Sequence, residues 1–212
     1  MAYSKIDICN LALASLGADS IRTFDENNKR SRMASNFYDA TRDYLLAKFD
    51  WPFARSIKLL TELDPDSINY YIPPNHRVYQ LPSDCITPRD LHPPGSRQKW
   101  YEVELKLFTP VTGDIILYYT SRQVDSLTFS HTFITLLQLA IAIRMAPAIT
   151  QDKALTKALF EQYMTEQRDC WESDANIGED YRMYDEEPNN DTFVYPDGYV
   201  NAEDESRFLR IE

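Results

Sequence analysis

The spacing of apolar residues divides the chain into helical and extended stretches. Over residues 4–16, Ile6, Cys9, Leu13 and Leu16 recur on one helical face, and Ile8, Leu11 and Ala12 widen it. Ser4 is placed to cap this helix and Asp7 to favour its dipole at the third position. Gly17 is placed to close it in left-handed backbone. A second helical period covers residues 28–49. Met33, Phe37, Tyr44 and Phe49 form its stripe, joined by Ala34, Ala40, Thr41 and Leu45. Pro52 ends it, because proline disfavours α backbone at Trp51, and Trp51, Pro52 and Phe53 make a bulky apolar corner.

The period then falls to two. Residues 56–59 and 78–82 read as short strands, and residues 64–77 and 83–97 as turn-rich or loop segments containing half of the prolines. Residues 100–108 (WYEVELKLF) alternate as one half-buried strand. A turn at residues 109–114 leads to residues 115–120 as the expected antiparallel partner. Helix returns at residues 129–146, with Ser126 or Thr128 as cap and Pro147 as its end or kink. Its apolar residues lie all round, which marks a central core helix. A last helix over residues 151–173 puts Leu155, Leu159, Tyr163 and Trp171 on its buried side. Residues 174–212 show no helical period. Their composition, acidic with spaced aromatics, predicts an arm that orders on a partner.

The expected fold class is therefore α+β. A four-helix-type bundle (residues 1–54 and 123–173) carries a small antiparallel β subdomain (55–122) inserted between helices 2 and 3, followed by an acidic extended C-terminal arm (174–212).

Charge sharpens this division. The net charge of −11 is concentrated late: residues 172–212 hold 13 of the 33 acids and 3 of the 22 basic residues. The rest is nearly neutral. Neither part has the clustered Lys and Arg that phosphate binding requires. With 5 glycines, the chain is poorly suited to phosphate-cradling loops, while 14 tyrosines fit a protein with large contact surfaces. Cys9, Cys85 and Cys170 are odd in number and far apart, which predicts reduced thiols. The first residues lack the basic and apolar regions of a signal peptide. Residues 133–149, broken by Gln138, Arg144 and Pro147, read as too polar and short for a membrane span.

The usual catalytic constellations are missing. His76, His92 and His131 have no Cys or His partner at metal-ligand spacing, and no GxSxG, HExxH, GxxxxGK[ST] or GxGxxG occurs. Cys85 with His92 would be a weak nucleophile candidate. Glu102 and Glu104, on one face of the expected strand with Cβ atoms about 6–7 Å apart, would be a carboxylate pair for glycoside hydrolysis. Same-face glutamates alternating with apolar residues are more ordinarily the solvated side of a sheet. No cofactor and no metal are expected. The run Lys29-Arg30-Ser31-Arg32 opens helix 2, where positive charge opposes the dipole, so an acidic partner surface would compensate Arg30 and Arg32.

The N-terminal 54 residues carry a further signal. Asn10-Leu11-Ala12-Leu13 with Leu16-Gly17, then Ile21, Phe24-Asp25-Glu26, Ala34, Tyr38, Arg42-Asp43, Leu45-Leu46 and Trp51-Pro52-Phe53-Ala54 follow in an order that resembles the head–tail adaptors (connectors) of tailed phages, the family that includes tail tubular protein A. The β insertion, the return to helix and the length also fit. The resemblance implies a virion structural protein and no catalytic residue. Such proteins form a ring of about twelve copies, a dodecamer, docked beneath the portal protein. The ring extends the DNA channel, through which DNA passes without specific binding, and offers a platform for the tail or nozzle protein below. The implied location is the head–tail junction, after synthesis in the host cytoplasm, with no membrane contact. The candidate portal or subunit contacts are Arg30, Arg32, Trp51, Phe53, Tyr181, Tyr184, Phe193, Tyr195, Tyr199 and Phe208. A tail-associated peptidoglycan hydrolase and a non-viral α+β binding protein are the alternatives.

Overall fold

A computed structural model of the chain describes residues 3–68, 71–92 and 100–182. The chain forms two units, Met1–Cys170 and Trp171–Glu212. Among the described residues it is a mixed helix-and-sheet protein with four α-helices, α1 (Lys5–Ser15), α2 (Lys29–Lys48), α3 (His131–Ile149) and α4 (Lys153–Arg182). Seven strands lie between α2 and α3: β1 (Arg55–Leu59), β2 (Thr61–Glu62), β3 (Arg77–Gln80), β4 (Cys85–His92), β5 (Tyr101–Val103), β6 (Lys106–Thr109) and β7 (Ile116–Ser121).

The ends of α1 are fixed by local chemistry. The Ser4 hydroxyl accepts from the Asp7 N–H while the Asp7 carboxylate accepts from the Ser4 N–H at 2.9 Å, a reciprocal capping box. At the other end Gly17, with φ +65°, donates to Ala14, and Ala18 donates to Leu13. That pair of bonds is the Schellman motif. Asn28 caps α2 through the Ser31 N–H. The buried stripe of α2 runs through Ala34, Tyr38, Thr41, Arg42, Leu45 and Leu46. It is rotated from the expected one, leaving Tyr44 half exposed, because Arg42 satisfies its charge locally and turns inward.

α3 packs against both α1 and α2. Phe133, Leu136, Leu137, Ile141 and Met145 fill one core with Ile8, Leu13, Tyr38, Leu45 and Trp51, and Leu159, Tyr163 and Cys170 join it from α4. Ser130, not Ser126 or Thr128, caps α3, since residues 126–128 form a 3-10 turn. Pro147 sits in the last turn of α3, where its missing N–H costs a single intrahelical bond. At 19 residues and a mean hydropathy of 1.7, α3 is long and apolar enough to cross a membrane, contrary to the sequence reading. In this fold its apolar residues are buried against α1 and α2. Helix α4 continues to Arg182, so residues 174–182, expected without helical period, are helical. Residues 183–212 lie outside the described part.

The β region departs most from expectation. It contains two antiparallel sheets, ordered β1-β7-β4 and β2-β3-β6-β5. Residues 100–108 are not one strand. They are a hairpin in which Val103 faces Lys106, with Glu104 and Leu105 as the two-residue loop. Strand β7 pairs with β1 and β4, not with the 100–108 region. The expected loop at residues 83–97 contains the eight-residue β4, described up to His92. Leu117, Tyr119 and Leu91 of the first sheet meet Tyr79 and Leu107 of the second, with Leu60, Leu81 and Ile115, in a second core.

Candidate functional site

Several of the residues that carry the family resemblance fix the linker between α1 and α2, and others lie farther along α2. Asn10 reaches out of α1 and binds Ile21 twice, accepting from its N–H at 2.8 Å and donating to its carbonyl at 2.9 Å. Those two bonds place the buried Ile21 side chain in the core. Further along the linker, Glu26 accepts from the backbone N–H groups of Arg22 and Thr23 and from Asn28. The first of these bonds contributes most to holding its carboxyl below the usual range. The Ser31 hydroxyl donates to the Thr23 and Phe24 carbonyls and ties the linker to α2.

Farther along α2 lies a charged cluster. Arg42, 8 % exposed, pairs with Asp39 at 2.8 Å and with Asp43 at 2.7 Å, and Asp43 also takes Arg122 at 3.0 Å. The Tyr38 ring lies 6.0 Å from the Arg42 guanidinium and 5.7 Å from Lys5. At the end of α2, Arg89 of β4 donates to the carbonyls of Leu46, Ala47 and Phe49 and to the Thr120 hydroxyl. These carbonyls are the ones a helix C-terminus leaves without partners, so a guanidinium satisfies them and the negative dipole end together. The sequence reading missed Arg89, since a residue assigned to a loop gave no reason to look for a helix partner.

The candidate contact residues fall into separate groups. Trp51 is buried: its indole N–H donates to Leu45 at 2.9 Å, and its ring packs on Phe49, Phe53 and Phe133. Phe53 is half buried against Phe129 and Phe133. Trp51 belongs to the core of this chain and Phe53 packs against it. The reason is the turn after Pro52, which folds the apolar corner back over the start of α3. Arg30 finds its acid within the chain, Asp19 in the linker at 2.9 Å. It borders an open depression of about 570 Å³ lined also by Leu16, Gly17, Lys29, Ile149 and Thr150. Arg32 is exposed and makes no ion pair among the described residues. The backbone of Tyr181 is in α4, while Tyr184, Phe193, Tyr195, Tyr199 and Phe208 lie outside the described residues.

The chemical candidates are separated by the fold. Burial, reinforced by the Glu102 and Asp84 carboxylates, pushes the Cys85 thiol up to about 12, so it is protonated at neutral pH. His92 lies at the far end of β4, on the order of 20 Å from Cys85 at the rise of a strand. Burial likewise pushes the Cys9 thiol up to about 12. Glu104 occupies the hairpin loop and Glu102 the strand, so the two do not share a strand face. Among the described residues, no three His, Cys, Asp or Glu side chains group as metal ligands would.

Two sheet edges present unburied apolar residues. On β1, Ile57 and Leu59 are 63 % and 57 % exposed, and they stand opposite Tyr118 and Ile116 on the face turned away from the second core. At the far edge of the other sheet, Tyr101 and Leu105 of the β5–β6 hairpin are exposed. Alternation in residues 55–59 would have assigned Ile57 and Leu59 to a core, so this surface was not legible in the sequence. No family model and no curated protein matches the chain.

Proposed function

We propose that this chain is a structural assembly subunit and not an enzyme. More particularly, it is a head–tail adaptor of a tailed phage. In this reading the helices form a four-helix-type bundle, copies join in a ring beneath the portal, and the ring extends the DNA channel and docks the tail or nozzle protein. The observation that carries it is the placement of the resemblance residues. Asn10, Gly17, Ile21, Phe24, Glu26, Tyr38, Arg42, Asp43, Leu45, Leu46 and Trp51 all act in one unit, as linker anchors, cap, core and charged cluster. An order of residues shared with a family means more when those residues do one architectural job together. The separation of Cys85 from His92 and of Glu102 from Glu104 favours this reading over the hydrolase.

The test is mass in solution, alone and mixed with a portal ring, for the full chain and for a chain ending at Arg182, which keeps α4 whole. A ring-sized shift that needs residues 183–212 supports the adaptor and assigns the portal contact to them. A shift without them keeps the adaptor and moves the contact to the earlier residues. A full chain that never shifts overturns the proposal.

A further inference from the structure

The two sheets have four edges, and only some are blunted. β4 carries Pro88 and two register shifts, between Cys85 and Thr87 and between Pro88 and Asp90. Proline and bulges at an edge discourage pairing with another strand. β2 is two residues long. β1 has neither device: its five residues pair with β7 in unbroken register, and its outer side meets no strand among the described residues. A regular edge with exposed Ile57 and Leu59 is a template for strand addition. β5, three residues long at the opposite end of the other sheet, meets no strand on its outer side among the described residues, and exposed Tyr101 and Leu105 accompany it.

The two free edges differ in charge. On β1, Arg55 is paired with Asp50 at 3.0 Å, and the other cation is the exposed Lys58, whose charge also acts on Asp84. On the β5–β6 hairpin, Glu104 lies 3.5 Å from Lys106, which leaves Glu102 as the exposed anion. Joining two β1 edges antiparallel in full register centres on Ile57 and sets each Lys58 opposite Ser56, with no acid to pair it, and joining two β5 edges would bring glutamates together. Joining β1 to β5 antiparallel with Lys58 opposite Glu102 sets Leu59 opposite Tyr101 and Ile57 opposite Val103. Cross-strand pairs of opposite charge stabilise a sheet and like pairs oppose it.

We propose that the partner of the β1 edge is a second copy of this chain, which docks through its β5 edge. Because the two edges are unlike, the contact is heterologous, and each copy keeps one edge free for the next. Such a contact closes into a ring when its rotation allows. The inference rests on the ring reading above and names the strands that would build the ring.

The experiment compares the full-length chain with Lys58→Glu, Glu102→Lys and the double charge swap. Mass is measured over a concentration series, alone and with a portal ring as seed. Both side chains are exposed, so the variants keep the monomer's helical signal, and because Lys58 also acts on Asp84 the melting temperature of each variant is measured beside its mass. Each single reversal is expected to weaken assembly at least tenfold, and the double swap to restore it to within about threefold of the original. Hydrogen exchange at the β1 amides is expected to slow on assembly of the original chain. Rings that form equally well in both single reversals, or a double swap no better than either, overturn the edge pairing and leave the ring reading standing. An original chain that never assembles overturns both.

Discussion

Several side chains in this protein work by closing local accounts of polar groups, and Asp84 is the one whose role depends on pH. Its carboxylate accepts from the Ser121 hydroxyl at 2.6 Å and from the Tyr119 hydroxyl at 3.2 Å, while its backbone carbonyl takes the Arg122 N–H. Burial pushes the carboxyl up, but the hydrogen bonds from Ser121, its own backbone N–H and Tyr119, with the charge of Lys58, outweigh it and leave it below its ordinary value of 3.8. A carboxyl with a depressed folded pKa takes up its proton first in the unfolded chain as the pH falls. Its stabilising contribution is thus complete above the ordinary value and fades as the pH drops below about 4 towards the folded value. We expect Asp84→Asn to flatten the acid limb of the stability curve. Urea unfolding of both proteins between about pH 2 and 6 would show it. Curves that stay parallel below pH 4 would mean that the Ser121 and Tyr119 bonds do not distinguish the charged carboxylate.

The ends of α1 and the stop of α2 were readable because independent signals agreed there, while the cap of α3 and the end of α4 were misread. Ser4 with Asp7, Gly17, Asn28 and Pro52 each did what their chemistry dictates. The strands were misread for two physical reasons. β4 holds Pro88 and Arg89, which look like loop residues, and it is an edge strand where proline is tolerated and an arginine can turn to a helix end. The β5–β6 turn hides because Glu104 takes φ +55°, at the first loop position of a two-residue hairpin, where glycine is the usual resident. Without a glycine, the run WYEVELKLF alternates as though it never turned. The bond from Trp51 to the Leu45 carbonyl was not legible either, since the two residues meet only once α2 has formed. The Glu104 strain makes its own prediction. Left-handed backbone costs a residue with a Cβ roughly 1–2 kcal/mol, and glycine's extra chain entropy returns about 0.5–1 kcal/mol of any gain. Glu104→Gly should therefore raise stability by about 0.5–1 kcal/mol, or about 1–4 °C in melting temperature for a chain of this size. A lowered melting temperature would show that the Lys106 pairing outweighs the backbone strain.

At the scale of the whole molecule, charge is divided along the sequence. Residues 172–212 hold 13 of the 33 acids with 3 of the 22 basic residues, so the remaining chain is close to neutral. Several of its cations are already committed: Arg42 and Arg122 to Asp43, Arg55 to Asp50, Arg77 to Glu62, and Arg89 to carbonyls. A cation engaged within the fold is not free to displace counterions from a phosphate backbone. Repeating such a subunit around a channel multiplies its charge balance without creating a basic track. The proposed adaptor needs that property, since a genome held by many phosphate contacts would not slide. We therefore expect the full-length chain, assembled or not, to bind duplex DNA more weakly than about 10⁻⁴ M at physiological salt, the weak limit for ordinary non-specific binders. We also expect the logarithm of its affinity to change little with the logarithm of salt concentration. Anisotropy of a labelled duplex, followed from low to physiological salt, measures both. A steep fall with salt, as for a protein that neutralises six or more phosphates, would require a cluster of free Lys and Arg in the assembled state. It would replace a passive channel with one that grips DNA.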